Sequence, residues 1–316
     1  MMLLKPLFQW VSPAGPRAKL SVLIFHRVLA EYDRLFPDEM NARRFDELCY
    51  WIASWFNVLP LDEAVARLKI DSLPARAACI TFDDGYADNY HVALPILQRH
   101  GMRATFFIAT GYLDGGRMWN DSIIEAIRTC TLQMLDLSSL GLGQHVLNSI
   151  CDRREAIDSL INKIKYQPVE LRISIAEQIA HLAQVLLPHD LMMTSREVKA
   201  MHQAGMQIGA HTVTHPILAR LTQVQARKEI QGSKCFLEQL LGDRVGLFAY
   251  PNGKPGEDYA QNSVDVVRSL GFDAAVSTQR GTTGSQDDIF QIRRFTPWDH
   301  SRVRFGAHML SNFRNA

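Results

Sequence analysis

Residues 77–82, Ala-Ala-Cys-Ile-Thr-Phe, make an apolar run without a solvent-facing alternation, and the chain passes from it directly into Asp83-Asp84-Gly85. A strand of this kind is buried on both faces, so it needs helices on both sides of an open parallel sheet or wrapped around a closed one. Residues 20–25 repeat the pattern and end at His26-Arg27. Further apolar segments follow at 103–109, at 206–210 before His211, at 245–249 before Tyr250-Pro251-Asn252-Gly253, and at 272–277. Between them, amphipathic stretches at about 88–100, 194–205, 222–242 and 257–270 stop at Gly101, Gly205, Gly242 and Gly271, where a left-handed cap is favoured. Thr194-x-x-Glu197 and Thr222-x-x-Gln225 are capping boxes that open two of them. This alternation predicts an α/β fold with a mostly parallel sheet, either doubly wound or closed as a barrel. In both architectures the carboxyl ends of the strands carry the chemistry, and His26, Asp83, Asp84, His211, His215 and Asn252 all fall at that rim.

Between about 114 and 193 the rhythm gives way to helical patterns at 119–131, 152–165 and 169–187. A helical insertion is expected there, serving either as a lid or substrate wall or as a buttress remote from the chemistry. Residues 1–19 form an N-terminal apolar segment and 20–316 the catalytic domain around that insertion. The apolar start lacks a basic stretch ahead of a long core, and Pro6 falls early, so it is not read as a signal peptide. A packed capping segment is expected, with weak membrane-surface contact through Trp10 as its other use. No run approaches the roughly 18–20 apolar residues of a membrane-crossing helix.

Thirty-four Lys and Arg stand against thirty-three Asp and Glu, a net charge of +1, which gives no broad field to collect nucleic acid. The five cysteines, at 49, 79, 130, 151 and 235, are odd in number and contain no C-x-x-C pair. Neither a disulfide framework nor a zinc ribbon is suggested, and a reducing, cytoplasmic setting is expected.

His211-Thr212-Val213-Thr214-His215-Pro216 places two imidazoles four residues apart, close enough to serve one metal. Pro216 disfavours helical geometry at His215, so the pair is expected on a loop. Adjacent aspartates after an apolar strand need a cation or hydrogen bonds to offset their burial. One carboxylate is suited to a metal beside the histidines, leaving the other to take a proton from water; the alternative is a turn in which one aspartate caps the next helix.

Thr81-Phe82-Asp83-Asp84-Gly85, then His211-x-x-x-His215, then Tyr250-Pro251-Asn252-Gly253, each after a strand, together resemble the polysaccharide deacetylases of carbohydrate esterase family four, the NodB-homology enzymes. His26-Arg27-Val28, Phe107-Ile108-Ala109-Thr110-Gly111 and the Trp119 helix start resemble the exopolysaccharide-biosynthesis members. The resemblance implies a distorted (β/α) barrel with a helical insertion, and hydrolysis of an N-acetyl group from an amino-sugar glycan or a lipid-linked glycan precursor. It implies Asp84, His211 and His215 as ligands of one divalent metal, zinc, and Asp83 as general base. It also implies a backbone N–H of the Tyr250-Pro251-Asn252 turn, at Asn252, as an oxyanion donor. Two departures stand out: Phe248-Ala249-Tyr250 lacks the arginine usual before that proline, and no Leu-x-His near the C-terminus supplies the usual acid. His26 is the first candidate for the acid, with His300 and His308 weaker, and Arg293 or Arg294 is the candidate to replace the arginine. Tyr250, Pro251 and Trp298 are candidate sugar contacts. A deformylase or amidase acting on a modified sugar or cyclic amide, and a catalytically degenerate glycan-binding protein, are the alternatives.

Overall fold

The computed structural model describes residues 4–314. Its strands are β1 (Ser21–Phe25), β2 (Asn57–Val58), β3 (Ala77–Phe82), β4 (Thr105–Ile108), β5 (Met134–Asp136), β6 (Gln144–Val146), β7 (Gln207–Ala210), β8 (Leu247–Ala249), β9 (Ala274–Val276) and β10 (Arg294–Phe295). Its helices are α1 (Leu4–Val11), α2 (Ala42–Trp55), α3 (Leu61–Lys69), α4 (Leu94–Arg99), α5 (Trp119–Thr129), α6 (Ile150–Ile164), α7 (Val169–Leu182), α8 (Ser195–Gln203), α9 (Gln223–Leu241), α10 (Gln261–Ser269) and α11 (Arg302–Asn312). The chain divides into two compact units, one holding Tyr32–Glu39 and Asp114–Met192 and the other the remainder.

In the larger unit, β10-β1-β3-β4-β7-β8-β9 lie side by side, all parallel, with β2 paired to the start of β3. The sheet nearly closes on itself through the segment entering β10. Ile292 bridges Val276 of β9, and two residues later Arg294 pairs with Val22 of β1. The result is the distorted (β/α) barrel. Strand parity explains the unbroken hydrophobicity of the runs: Val22, Cys79, Phe107, Leu247 and Val276 pack together on one face, while Leu23, Ile80, Phe82, Phe106, Ile208 and Phe248 pack outward with the helices.

The strand segments expected at 20–25, 77–82, 103–109, 206–210, 245–249 and 272–277 are all strands, trimmed by a few residues at their ends. The capping boxes at Thr194 and Thr222 form with both hydrogen bonds, and Gly242 ends α9 at φ 70°. The stretch expected as one helix at about 88–100 instead opens with a π-helical turn, Asn89–Ala93. Pro95 explains it, because a residue without an N–H cannot continue the regular ladder there, and Leu94 N–H reaches back to the Asn89 carbonyl.

The smaller unit surrounds its own core of Ile123, Ile127, Leu135, Leu160 and Ile179. Its helices α5, α6 and α7 follow the helical patterns read from sequence, but β5 and β6 pair antiparallel between them. Strands three residues long are too short to show a period of two. Within this unit Arg128 holds Asp33 at 2.7 and 3.1 Å, and the Arg172 guanidinium lies 5.2 Å from the Trp119 ring.

Gly209 in β7 sits beneath the buried Phe107 ring, where a Cβ would lie 2.4 Å from a ring carbon and 3.1 Å from the Leu247 carbonyl. Gly209→Ala is therefore expected to destabilise the protein by about 1–3 kcal/mol through overpacking. Urea unfolding measures this, and an unchanged midpoint would show slack inside the barrel.

Candidate active site

Asp83 continues the parity of Cys79 and Thr81, so its side chain turns into the barrel, and its N–H holds the Phe25 carbonyl at 2.9 Å. There it meets Arg294. Nη1 and Nη2 each donate to one carboxylate oxygen at 2.7 Å, Nε donates to the Ser277 carbonyl at 2.8 Å, and Nη1 also reaches Thr81 Oγ1 at 3.3 Å. Both side chains are buried. Burial alone would raise the Asp83 carboxyl, but the Arg294 guanidinium, followed by His211, outweighs it and holds the group below the ordinary range. Each carboxylate oxygen keeps a second lone pair for another donor.

Asp84, past the end of the strand, has a left-handed backbone, at φ 77°. The turn at Gly85 lets both aspartates serve the mouth. Asp84 Oδ1 lies 3.4 Å from His211 Nε2 and 3.5 Å from His215 Nε2, and it is buried with no hydrogen-bond partner. The three ligand atoms lie within 4.8 Å of one another. Such separations are long for hydrogen bonds, yet two atoms each about 2.0–2.1 Å from one tetrahedral ion would be about 3.3 Å apart. The residues present therefore fit a divalent cation. His211 Nδ1 donates to the Ala249 carbonyl at 2.8 Å, which turns Nε2 toward Asp84. Burial pulls the His215 imidazole down to about 4, so it is neutral at neutral pH, whereas at His211 burial is outweighed by the Asp84 and Asp83 carboxylates, which raise its imidazole. Burial would raise Asp84, but His211 and His215 more than reverse this and leave its carboxyl well below the ordinary range.

The loop carrying the two histidines is held from three sides. Thr212 and His215 both have positive φ, 65° and 50°, and His215 N–H donates to Thr212 Oγ1 at 3.1 Å. Glu229 of α9 accepts from Val213 N–H at 2.9 Å, Thr214 N–H at 2.8 Å and Thr214 Oγ1 at 2.8 Å. Gly111 N–H donates to the Val213 carbonyl at 2.8 Å, and a Cβ on Gly111 would lie 2.7 Å from that oxygen. Glu229 was not singled out from the sequence. A lone glutamate on an amphipathic helix reads as a solvated charge.

His26 is exposed at the end of β1, near enough for its charge to bear on Asp83, Asp84 and His215. Its main chain is held by Asn89, whose amide donates to the His26 carbonyl at 2.9 Å, and Asp88 takes Val28 N–H at 3.0 Å and Arg27 Nε at 2.8 Å. His308 instead pairs with Asp299 at 2.8 Å. Asn252 lies at φ 57° in the turn after β8. In that turn Tyr250 N–H is used by the Val276 carbonyl and Pro251 has none, which leaves the Asn252 N–H as the available donor.

Three candidates sit differently from their expected roles. Tyr250 is fully buried, its ring stacked on Tyr259 at 3.8 Å and its hydroxyl on the Phe290 carbonyl, so it offers no face to a sugar. Pro251 is buried beside it. Arg293 turns away from Asp83 to the Thr282 carbonyl and Asp287, because neighbouring residues of a strand point to opposite faces. Trp298 is 57% exposed and remains open to a ligand.

The Asp83 carboxyl is depressed in the folded chain, so its contribution to stability is full above the unfolded value of 3.8 and is lost as pH falls through the folded value. Asp83→Asn leaves Arg294 buried without its counter-charge, a loss expected at about 3–5 kcal/mol. Urea unfolding of both proteins from neutral to acid pH should show a constant gap that shrinks below the ordinary carboxylate range. A gap independent of pH would show that the pair is not ionic.

Residues 71–275 match the family model for polysaccharide deacetylase. YxkH of Bacillus subtilis (strain 168), which carries a polysaccharide deacetylase name, is 22% identical over 306 residues, spanning 96% of this chain and 80% of that protein. The structure of the Streptococcus pyogenes deacetylase PplD in complex with acetate is similar at a TM-score of 0.61 and 18% identity, over 94% of this chain and 98% of that one. IcaB from Ammonifex degensii gives 0.60 and 18%, over 94% and 97%. At these identities the structural likeness establishes the shared fold. The family match spans well over half of the residues and takes in both the Asp83-Asp84 pair and the His211–His215 loop, and the chain belongs to the polysaccharide deacetylase family, the NodB-homology group of carbohydrate esterase family four.

Proposed function

We propose that this chain hydrolyses the N-acetyl group of an amino sugar within a glycan or a lipid-linked glycan precursor. The observation that carries the reading is Asp84 Oδ1, buried without a hydrogen bond between two imidazole nitrogens, beside a second carboxylate held ionised by Arg294. Asp84, His211 and His215 would hold a divalent cation, zinc in this proposal, which when bound polarises an amide carbonyl and acidifies water. Asp83 takes the proton from the attacking water, and Arg294 keeps its carboxylate ionised and fixed in direction. The Asn252 N–H donates to the oxyanion that develops on the former carbonyl oxygen. His26, exposed at the mouth and supported through its carbonyl by Asn89, returns a proton to the leaving amine as the C–N bond breaks. Trp298 is the aromatic surface available to a sugar ring.

The Arg294–Asp83 pair bears on the degenerate glycan-binding alternative, which rests on a missing arginine and a missing acid histidine. An arginine from a different part of the chain stands on the carboxylate after all. A cytoplasmic setting is part of the proposal, supported by five free thiols; among the described residues no helix is long and apolar enough to cross a membrane.

Elemental analysis should find about one equivalent of zinc or a similar ion, lost in His211→Ala. Failure to take up metal on reconstitution overturns the hydrolase mechanism. With metal retained, Asp83→Asn is expected to lower acetate release from N-acetylated sugar oligomers by about 10²–10⁴-fold. Formate release in place of acetate would move the assignment to a deformylase.

A further inference from the structure

Helices α1 and α11 pack together at the amino ends of the strands, the pole opposite the mouth. Phe8 of α1 lies 6.2 Å from Phe313 and 4.6 Å from Phe56, and the Ser12 carbonyl accepts from Arg76 N–H just before β3 begins. Segments 4–26 and 300–314 contain Lys5, Arg17, Lys19, Arg302, Arg304 and Arg314 and no Asp or Glu, and Asp299, just ahead of the second, pairs with Arg304 and His308. Between α1, α2 and α11 runs a groove of about 580 Å³ with Pro6 and Trp55 as apolar lining and Lys5, Arg76 and Arg302 as its charges; among the described residues no carboxylate lines it. Arg302 is preset by the Trp55 and Tyr50 rings, 5.0 and 5.6 Å away, and donates to Ser54 Oγ at 2.8 Å. Its Nε is buried with no hydrogen-bond partner.

Beside this groove, α1 turns large apolar side chains outward. Trp10 is 79% and Leu7 45% exposed, one helical turn apart, and Val303 of α11 is 72% exposed. We propose that this pole docks on an anionic phospholipid surface. Trp10 and Leu7 enter the headgroup boundary, where an amphipathic ring is favoured, and Lys5, Arg76 and Arg302 face the lipid phosphates. An apolar rim around a groove that, among the described residues, holds cations and no carboxylate is matched in both respects by such a surface, whereas a neutral partner would leave the charges without counterparts. The inference is independent of the catalytic assignment, since none of these residues belongs to the mouth.

Co-sedimentation of the full chain with vesicles tests it, using phosphatidylcholine alone and phosphatidylcholine mixed with phosphatidylglycerol, at low and high salt. Binding is expected to the mixed vesicles at low salt, with a blue shift of tryptophan emission. Lys5→Gln should weaken it about fivefold, and Trp10→Gln should remove most of the shift. Both side chains are exposed, and an unchanged melting curve confirms that the variants fold. Absence of binding to the mixed vesicles, equal and salt-insensitive binding to both, or wild-type binding by both variants would overturn the proposal.

Discussion

The bidentate contact between Arg294 and Asp83 is the interaction on which the rest of the large unit depends. It occupies a place where an uncompensated charge would be prohibitive, and it joins the end of β3 to the strand that nearly closes the ring. The same guanidinium binds the Ser277 carbonyl after β9 and Thr81 of β3, so one side chain ties together three strands. Barrel closure and the ionisation of Asp83 are thus one structural event. A change that loosened β10 would alter the Asp83 environment even if every residue at the mouth were untouched.

Around that pair the mouth is assembled from backbone in uncommon conformations. Asp84, Thr212, His215 and Asn252 all have positive φ, between 50° and 77°. Each costs of order 1–3 kcal/mol, and such residues persist only when their surroundings over-determine them. Here the surroundings are visible: Glu229 and the Gly111 main chain grip the histidine loop, while Thr278 Oγ1 donates to the Asn252 carbonyl at 2.7 Å. The loop and the turn are thus held by the protein's own hydrogen bonds, which is the arrangement that electrostatic preorganisation requires.

Much of this was legible in the sequence, for identifiable reasons. Strands buried on both faces leave unbroken apolar runs, and helices ended by glycine leave a stop, so the βα order and the rim position of Asp83, Asp84, His211 and Asn252 could be read directly. The short elements could not: β2 and β10 have two residues each, and the β5–β6 hairpin three per strand. Helices α2 and α3 were likewise passed over. Strand parity would have favoured Arg294 over Arg293 had β10 been recognised, since only one of two neighbours can face the barrel interior. Tyr250 misleads because a motif position suggests contact with substrate while its ring is spent on Tyr259. Glu229 carried no signal at all, because its partners are main-chain N–H groups that no side-chain pattern reveals.

The partners of the buried ion pair are 211 positions apart. A ribosome adding about 5–20 residues per second needs roughly ten to forty seconds to pass from one to the other. During that interval β3 can form, but its terminal carboxylate has no counter-charge and the ring has no last strand. The Asp83–Arg294 pair is therefore among the late features to form. A nascent or truncated chain that stops short of Arg294 carries every residue of the Asp-Asp and His-x-x-x-His motifs and still lacks the arginine that neutralises Asp83, so the ionised pair at the mouth is withheld until the polypeptide is nearly whole.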